Sequence, residues 1–188
     1  MKKEKHELIL DGVSYFAEVD VVEKSDAKNI AEMYRHWNEL SSSLSEYGCR
    51  RMNFPEISEL IFCLVFDSWR VNNVQGIGKH SSFDCYNPKT HSRIQVKATS
   101  VADDLTSFGP KSVWDELYFM DFFSNNKYDG SFTVYLIPNE EVYNFKMNKN
   151  QTFKDQQKEG RRPRFHMKKD LIKPLGLKPI GSYNIYEL

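Results

Sequence analysis

Alternating and helix-spaced apolar residues divide the first quarter of the chain into a hairpin and a helix. Residues 7–10 and 13–22 flank Asp11-Gly12, a dipeptide that favours a tight hairpin turn, although the second run could also lead straight into the helix. That helix is predicted over about residues 26–47, ending at Gly48. Five apolar residues recur along it at helical spacing and predict core or dimer contacts: Ile30, Met33, Tyr34, Trp37 and Leu40.

A second helix is predicted over residues 53–69, where Pro55 and two acids precede residues that are apolar on almost every side. Its dominant apolar face consists of Ile57, Leu60, Ile61, Leu64 and Trp69. Glu59 instead lies on a stripe with Phe62, Cys63 and Phe66. An acid on an apolar stripe is costly unless it is paired or bound to a metal. Glu59 is therefore a candidate functional acid and Glu56 the second choice, although either could simply favour the helix N-terminus.

Two short strands, at residues 83–86 and 94–98, bring an acid and a lysine together across a run of turn-forming residues. Because side chains alternate along a strand, Gln95 and Lys97 point to one face and three apolar residues to the other, namely Ile94, Val96 and Ala98. The hairpin can bring Asp84 onto the polar face as well. A carboxylate, an amide oxygen and an amine form a plausible site for a divalent cation beside a water molecule. An exposed polar hairpin face is the simpler alternative.

Further apolar runs complete a mixed fold. Residues 114–122 are suited to a central strand, residues 131–137 form a further strand, and residues 165–167 and 183–186 can add short ones. Together with the helices, these strands predict an α/β or α+β fold in which a mixed sheet is flanked by helices. A chain of 188 residues is long enough for one core and too short for two comfortable ones, so a single domain over residues 1–188 is expected.

The charge of the chain is balanced overall but uneven along its length. There are 26 basic and 26 acidic side chains, so the net charge gives no sign of nucleic-acid binding. Residues 146–173, however, contain ten Lys or Arg against three Asp or Glu, which leaves 16 basic and 23 acidic side chains in the other 160 residues. This asymmetry favours a phosphate-facing surface, with a solvated basic loop as the alternative.

Other features exclude some classes of protein. The first residues are charged and no apolar run approaches ~20 residues, so neither a secretory signal nor a membrane span is predicted, and we expect a cytoplasmic protein. Cys49, Cys63 and Cys85 lack paired zinc-type spacing. Cys63 is expected in the core, and Cys85 is expected to point away from Asp84 by strand alternation.

The hairpin resembles the PD-(D/E)xK motif of many type II restriction endonucleases, spelled here Phe83-Asp84 and then Gln95-Val96-Lys97. Gln95 stands where a carboxylate is usual, so it contributes no charge. The resemblance implies a restriction-endonuclease-like fold and a Mg²⁺ ion bound by Asp84, the amide oxygen of Gln95 and the carbonyl of Val96, with Lys97 orienting a water molecule. It also implies an acid from the preceding helix, for which Glu59 is the first choice.

Residues 103–112, 114–122 and 161–165 resemble a small group of restriction endonucleases that cut the interrupted palindrome GCNGC. The resemblance spans roughly residues 50–170. It implies double-stranded DNA as the substrate, a homodimer that matches the twofold axis of the DNA, and a DNA methyltransferase as a genetic neighbour. Arg fits the acceptors of guanine, and Lys suits phosphates. The candidate DNA-binding residues are Thr106, Ser107, Lys111, Arg161, Arg162, Arg164 and Lys168.

Two other functions fit the same residues. A structure-selective nuclease of repair or recombination would use the same hairpin without reading base sequence. A non-catalytic DNA-binding domain would carry Asp84 and Lys97 as a surface ion pair only. The three hypotheses differ in the products formed from plasmid DNA, which are discrete fragments, junction-specific cuts or none.

Overall fold

The computed structural model describes residues 1–76 and 82–188, within which ten strands form. They are β1 (Lys2–Leu10), β2 (Val13–Val21), β3 (Trp69–Val74), β4 (Cys85–Asn87), β5 (Ser92–Thr99), β6 (Thr106–Ser107), β7 (Glu116–Asp121), β8 (Ser131–Ile137), β9 (Arg164–Phe165) and β10 (Gly181–Asn184). One sheet has the order β1-β2-β3-β4-β5-β7-β8-β10, and β6 pairs with β9 separately. Among these strands, β5 and β7 run parallel and the other pairs antiparallel. The predicted mixed sheet is confirmed.

The helices pack against this sheet in two groups. Two belong to a core that includes β5 and β7, namely α1 (Ala27–Glu46) and α2 (Ile57–Phe66). Three other segments contribute to a second core: α3 (Asn139–Tyr143), α4 (Phe153–Lys158) and a π-helical segment, Met167–Ile172. The α+β class with helices flanking a mixed sheet is therefore confirmed. Among the described residues, no helix combines the length and the apolar character needed to cross a membrane.

The N-terminal hairpin and the first helix follow the sequence pattern closely. Asp11 and Gly12 both adopt positive φ, 52° and 79°, which a two-residue hairpin turn requires, and Leu10 pairs with Val13. The first strand begins at Lys2, earlier than predicted, because its charged residues pair with β2. Of the apolar residues spaced along α1, three are buried, Ile30, Tyr34 and Trp37, and two are about half exposed, Met33 and Leu40.

The predicted extension of the second helix to Trp69 is wrong. The helix α2 ends at Phe66, and Asp67 turns the chain with left-handed backbone angles (φ 50°). Trp69 then begins β3, which pairs with β2 on one side and β4 on the other. Hydrogen bonding between strands outweighs the apolar helical pattern at this point. The consequence is a strand that sequence reasoning missed, and it carries Arg70 into the centre of the sheet.

The two C-terminal strands also differ from the prediction. Strand β9 ends at Phe165, because Met167 begins the π-helical segment. Strand β10 ends at Asn184, whose side-chain oxygen accepts a hydrogen bond from the backbone N–H of Tyr186 at 3.0 Å and starts a 3₁₀ turn. The apolar runs at residues 114–122 and 131–137 do contain strands, as expected; β7 and β8 both have a neighbouring strand on each side.

Strand β5 separates the two cores, and its alternation decides which way the candidate residues point. Ile94, Val96 and Ala98 belong to the core of α1 and α2. The parallel register pairs Gln95 with Leu117 and Lys97 with Phe119, which belong to the second core. The Nζ atom of Lys97 accordingly lies 5.4 Å from the centre of the Phe108 ring, in that second core. The predicted division of β5 into two faces is confirmed.

A buried acid fastens the short strand β6 to the C-terminal part of the chain. Asp104 is 2% exposed and accepts hydrogen bonds from the backbone N–H groups of Met167 at 2.7 Å and Lys168 at 3.2 Å. It also accepts one from the Thr106 hydroxyl at 3.3 Å. The Asp104 carboxylate therefore accepts hydrogen bonds both from the first two residues of the π-helical segment and from the first residue of β6.

We expect Asp104→Ala to lower the free energy of unfolding by about 2–4 kcal/mol, because it leaves buried N–H groups without acceptors. Urea unfolding measures the change. Asp103→Ala is the matched control, since the Asp103 side chain is 87% exposed, and its effect should stay within about 0.5 kcal/mol. Equal, small effects of both substitutions would contradict the anchoring role of Asp104.

Candidate active site

The candidate site is built on the hairpin of β4 and β5. Asp84 immediately precedes β4; its backbone N–H donates to the carbonyl of Ile94, and its carbonyl accepts from the N–H of Val71, both at 2.9 Å. The Asp84 carboxylate accepts a hydrogen bond from the Val96 N–H at 2.9 Å and another from the Gln95 amide. The backbone and its neighbours thus fix the position of this carboxylate.

The hairpin turn and the neighbouring cysteines agree with the predicted geometry. The Asn87 side chain accepts hydrogen bonds from the backbone N–H groups of Lys89 at 2.9 Å and Thr90 at 3.3 Å, which closes the turn. Cys85 lies in the core of α1 and α2, with its sulfur 3.5 Å from that of Cys63. Both cysteines are fully buried in this core.

The Asp84 carboxylate is largely removed from water and has two cations near it, Lys97 and Arg70. Burial raises the pKa of Asp84, and the positive charge of Lys97 opposes that rise. Hydrogen bonds from Val96 and Gln95 act in the same direction as Lys97. The structure therefore brings together Asp84, Gln95, Val96 and Lys97, as the hairpin pattern predicts.

Glu59 is a second buried acid close to Asp84. Its carboxylate accepts a 2.6 Å hydrogen bond from Nε of Arg70. Burial nevertheless raises the pKa of Glu59 to about 7, and the negative charge of Asp84 contributes to this rise. Arg70 lowers the pKa but does not offset these effects. Glu59 and Asp84 thus form a pair of largely buried acids, and Arg70 and Lys97 do not fully offset the rise in their pKa values.

Arg70 is the residue that organises the helical acids, and sequence reasoning missed it. Besides Glu59, its guanidinium contacts Glu56 at 2.7 Å and Asp20 at 3.4 Å. The Glu56 side chain is 80% exposed, whereas that of Glu59 is 18% exposed. Glu59 is thus the inward-facing member of the pair. The sequence signal for this cluster is the acid between Val19 and Val21 in an apolar strand.

These residues offer a donor set that fits a hard divalent cation. Carboxylate, amide and carbonyl oxygens are the ligands that Mg²⁺ prefers, and the two largely buried acids have raised pKa values. In this structure the Gln95 amide donates its N–H to Asp84, so its oxygen would face an ion only after the amide turns over. In residues 1–76 and 82–188 no group of three or more His, Cys, Asp or Glu side chains is arranged so that it could hold a metal ion. The set therefore depends on Gln95 and Val96 as well.

A cleft of about 410 Å³ adjoins the hairpin and includes Lys97. Thr106 and Ser107 also line it. Ser107 pairs with Arg164 of β9, so an exposed arginine lies next to the cleft. Thr106 is buried and donates its hydroxyl hydrogen to Asp104. The predicted DNA-binding segments around β6 and β9 are thus paired with each other, and β6 lines the same cleft as Lys97.

The other predicted DNA-binding residues lie in different environments. Lys168 forms a 2.8 Å ion pair with the buried Asp121. Arg161 forms a 3.1 Å ion pair with Glu159. Arg162 and Lys111 are exposed. An internal carboxylate partner leaves less charge for phosphates, so Lys168 and Arg161 are weaker candidates than Arg162 and Arg164.

Comparison with known proteins identifies the class to which this fold and site belong. A family model described as "Bsp6I restriction endonuclease" matches residues 22–174. The type II restriction enzyme Bsp6I of Bacillus sp. (strain RFL6) is 34% identical over 168 residues, which is 87% of this chain and 91% of that protein. No solved structure matches the chain. The chain is a type II restriction endonuclease, an enzyme that hydrolyses DNA at specific sites. It belongs to the Bsp6I restriction endonuclease family.

We expect the metal-free protein to become less stable as the pH rises from about 4.5 to about 7, the ordinary and the raised pKa of Glu59. In this range the folded Glu59 keeps a proton that the unfolded chain has released, so the free energy of unfolding falls with pH, by roughly 2–3 kcal/mol in all. Glu59→Gln should remove this part of the fall in the free energy of unfolding with pH. Urea unfolding in EDTA at several pH values measures it.

The matched control for this measurement is Glu56→Gln, because Glu56 contacts the same arginine but is mostly exposed. It should keep the pH dependence of the parental protein. A parental slope in Glu59→Gln would show that Glu59 is ionised throughout this pH range in the folded protein.

Proposed function

We propose that the chain is a PD-(D/E)xK-type nuclease in which Gln95 takes the place of the usual carboxylate. It would use Mg²⁺ to hydrolyse double-stranded DNA at a short GC-rich palindrome of the form GCNGC, acting as a homodimer. The observation that carries this proposal is the buried carboxylate of Asp84, held by Gln95 and Val96 and close to both Lys97 and Glu59. A single domain, a cytoplasmic location and a neighbouring methyltransferase gene stay predictions.

In this proposal Asp84, the Gln95 amide oxygen and the Val96 carbonyl would hold the ion. When bound, Mg²⁺ lowers the pKa of a coordinated water and stabilises negative charge on the phosphate. Glu59, rather than the exposed Glu56, would supply the charge that Gln95 lacks. Asp84 and Glu59 would thereby place two carboxylates beside the ion.

Lys97 would orient the attacking water and offset the charge that develops on the phosphate. Its ammonium group lies beside the Phe108 ring and close enough to Asp84 to oppose the rise in the pKa of that acid. The lysine shares the cleft with Thr106 and Ser107. A DNA backbone in this cleft would therefore meet Lys97 directly, and Asp84 lies close to that lysine.

Base reading would come from the segment that precedes and includes β9. Arg162 and Arg164 are exposed, and a planar guanidinium fits the O6 and N7 acceptors of guanine. Arg161, Lys111 and Lys168 would assist at phosphates, and Thr106 and Ser107 would complete the wall of the cleft. Two subunits related by a twofold axis would place one such set on each half of a palindrome.

We expect the parental protein to cut plasmid DNA into discrete fragments when Mg²⁺ is present, and Asp84→Asn to cut none. The substitution keeps the size of the side chain but removes the charge that would bind the ion. Binding of an uncut duplex should be largely retained, because phosphate contacts come from basic residues elsewhere. Gel analysis of the digest and mapping of the fragment ends provide the measurement.

Asp67→Asn is the control for this experiment. Asp67 is 81% exposed, and asparagine tolerates the left-handed backbone angles at this position. This variant should cut like the parental protein. Full Mg²⁺-dependent cleavage by a folded Asp84→Asn protein would remove the proposed site. Cleavage at junctions alone would favour a structure-selective nuclease, and binding without any cleavage by the parental protein would favour a binding domain.

We expect Arg162→Ala and Arg164→Ala to cost ~1–3 kcal/mol on the cognate duplex and less on duplexes with one changed base, because a base contact discriminates between sequences. Binding to both kinds of duplex at two salt concentrations measures this difference. Lys154→Ala is a control in the same basic segment, and any loss it causes should be the same on every duplex. A uniform loss for both arginine variants would assign them to the DNA backbone.

A further inference from the structure

We infer that Arg51 is a preformed binding site for a DNA backbone phosphate, on the same cleft as Lys97. The inference rests on the proposed function, because it takes the ligand of the cleft to be DNA. Arg51 precedes α2, in the segment that connects it to α1. Together with Asn53 and Phe54 it lines the cleft that Lys97 and Ser107 also line.

The Arg51 guanidinium is held in place by neutral groups only. Its Nη2 atom donates to the Asn38 side-chain oxygen at 2.7 Å, and its Nη1 atom donates to the Ser42 hydroxyl at 3.1 Å. Its central carbon lies 3.7 Å from the centre of the Tyr128 ring and 5.5 Å from that of Trp37. Within the part of the chain that the structure describes, no carboxylate forms an ion pair with it. The positive charge is oriented but not neutralised.

The guanidinium also has unused donors. Arginine carries five N–H groups, and the hydrogen bonds to Asn38 and Ser42 occupy two of them. The Nε atom is buried and has no hydrogen-bond partner among the described residues. This donor is enclosed by the protein, so it adds to the cost of the site without being open to the cleft. An anion that reached this side of the cleft would meet the positive charge and the second N–H group of each Nη atom.

The segment that carries Arg51 is itself anchored. The Trp37 indole N–H donates to the carbonyl of Asn53 at 3.1 Å. The Phe54 ring stacks on Phe122 at 4.2 Å and meets Trp37 edge to face at 4.8 Å. These contacts fix the loop on the core of α1 and α2. Arg51 therefore loses little conformational freedom when it binds an anion, which favours affinity.

A phosphate is the ligand that suits this arrangement. Arginine binds phosphate through two parallel N–H groups and keeps its charge at every physiological pH. Lys97 lines the same cleft, and the exposed Arg164 lies beside Ser107, which also lines it. A DNA strand in the cleft would thus meet more than one positive charge. Arg51 would hold the backbone while Lys97 acts at the reacting phosphate.

The test is the salt dependence of binding to two duplexes of about 30 base pairs, one with GCNGC and one without, in EDTA so that neither is cut. Two variants remove the charge in different ways. Arg51→Gln deletes the cation, and Ser42→Asp neutralises it with a carboxylate while keeping the arginine and its other contacts. We expect each variant to reduce the slope of log K against log salt by ~0.9 and to weaken binding about tenfold at low salt.

Arg35→Gln is the matched control. It lowers the net charge by one, as each test variant does, but the cation that it removes is already paired with Glu32 and Glu39 on α1. It should leave the slope unchanged. Parental slopes in both Arg51→Gln and Ser42→Asp would overturn the inference, and so would a loss confined to the GCNGC duplex, which would indicate a base contact. Because cleavage after Asp84→Asn is measured separately, the inference about Arg51 can fail while the proposed function stands. A parental protein that bound neither duplex would contradict both.

Discussion

The burial of negative charge next to more negative charge is the constraint around which this structure is arranged. Asp84 and Glu59 are close enough for each to affect the ionisation of the other, and both are largely removed from water. Such a pair is unfavourable unless cations or hydrogen bonds offset it. The structure supplies Arg70 on one side and Lys97 with the Val96 N–H on the other. These partners come from β3 and β5, and Glu59 itself comes from α2, so the sheet and the helix must both form before the site exists.

The two faces of β5 have different roles: one packs into a hydrophobic core, and the other carries residues of the candidate site. On one face, Ile94 and Val96 pack into the core shared with the long helices. On the other, Gln95 and Lys97 point towards the aromatic core around Phe108 and the cleft beside it. Because the strand is held firmly by packing on the first face, the backbone that carries Gln95 and Lys97 keeps its position without contacts to substrate. Preorganisation of this kind is what a site that stabilises developing charge requires.

The basic residues fall into two groups: those whose positive charge is already neutralised by an acid of the protein, and those whose charge is not. Arg70 and Lys168 contact buried acids, Asp20 and Asp121 respectively, and serve the fold. Arg51 contacts neutral groups only, and Arg162 and Arg164 are exposed. A cation paired within the protein gains little from a phosphate, whereas an unpaired one releases counterions from DNA when it binds. A chain with no net charge can therefore present a surface for DNA, because the acids that balance the total are used elsewhere.

The sequence by itself determined the hairpins, most of the strands and the segment of the candidate site, because these depend on local alternation, turn residues and spacing of two residues along a strand. It correctly placed Asp84, Gln95 and Lys97 together and β7 in the interior of the sheet. Only the tertiary structure decided where α2 ends, because pairing with β2 and β4 makes Trp69 the start of a strand although it continues the apolar helical pattern. The same long-range contacts decided that Glu59 points inwards, that Arg70 holds it and that Arg51 reaches the cleft. These partners are distant in sequence, and no local pattern records which charged side chains will meet when the sheet closes.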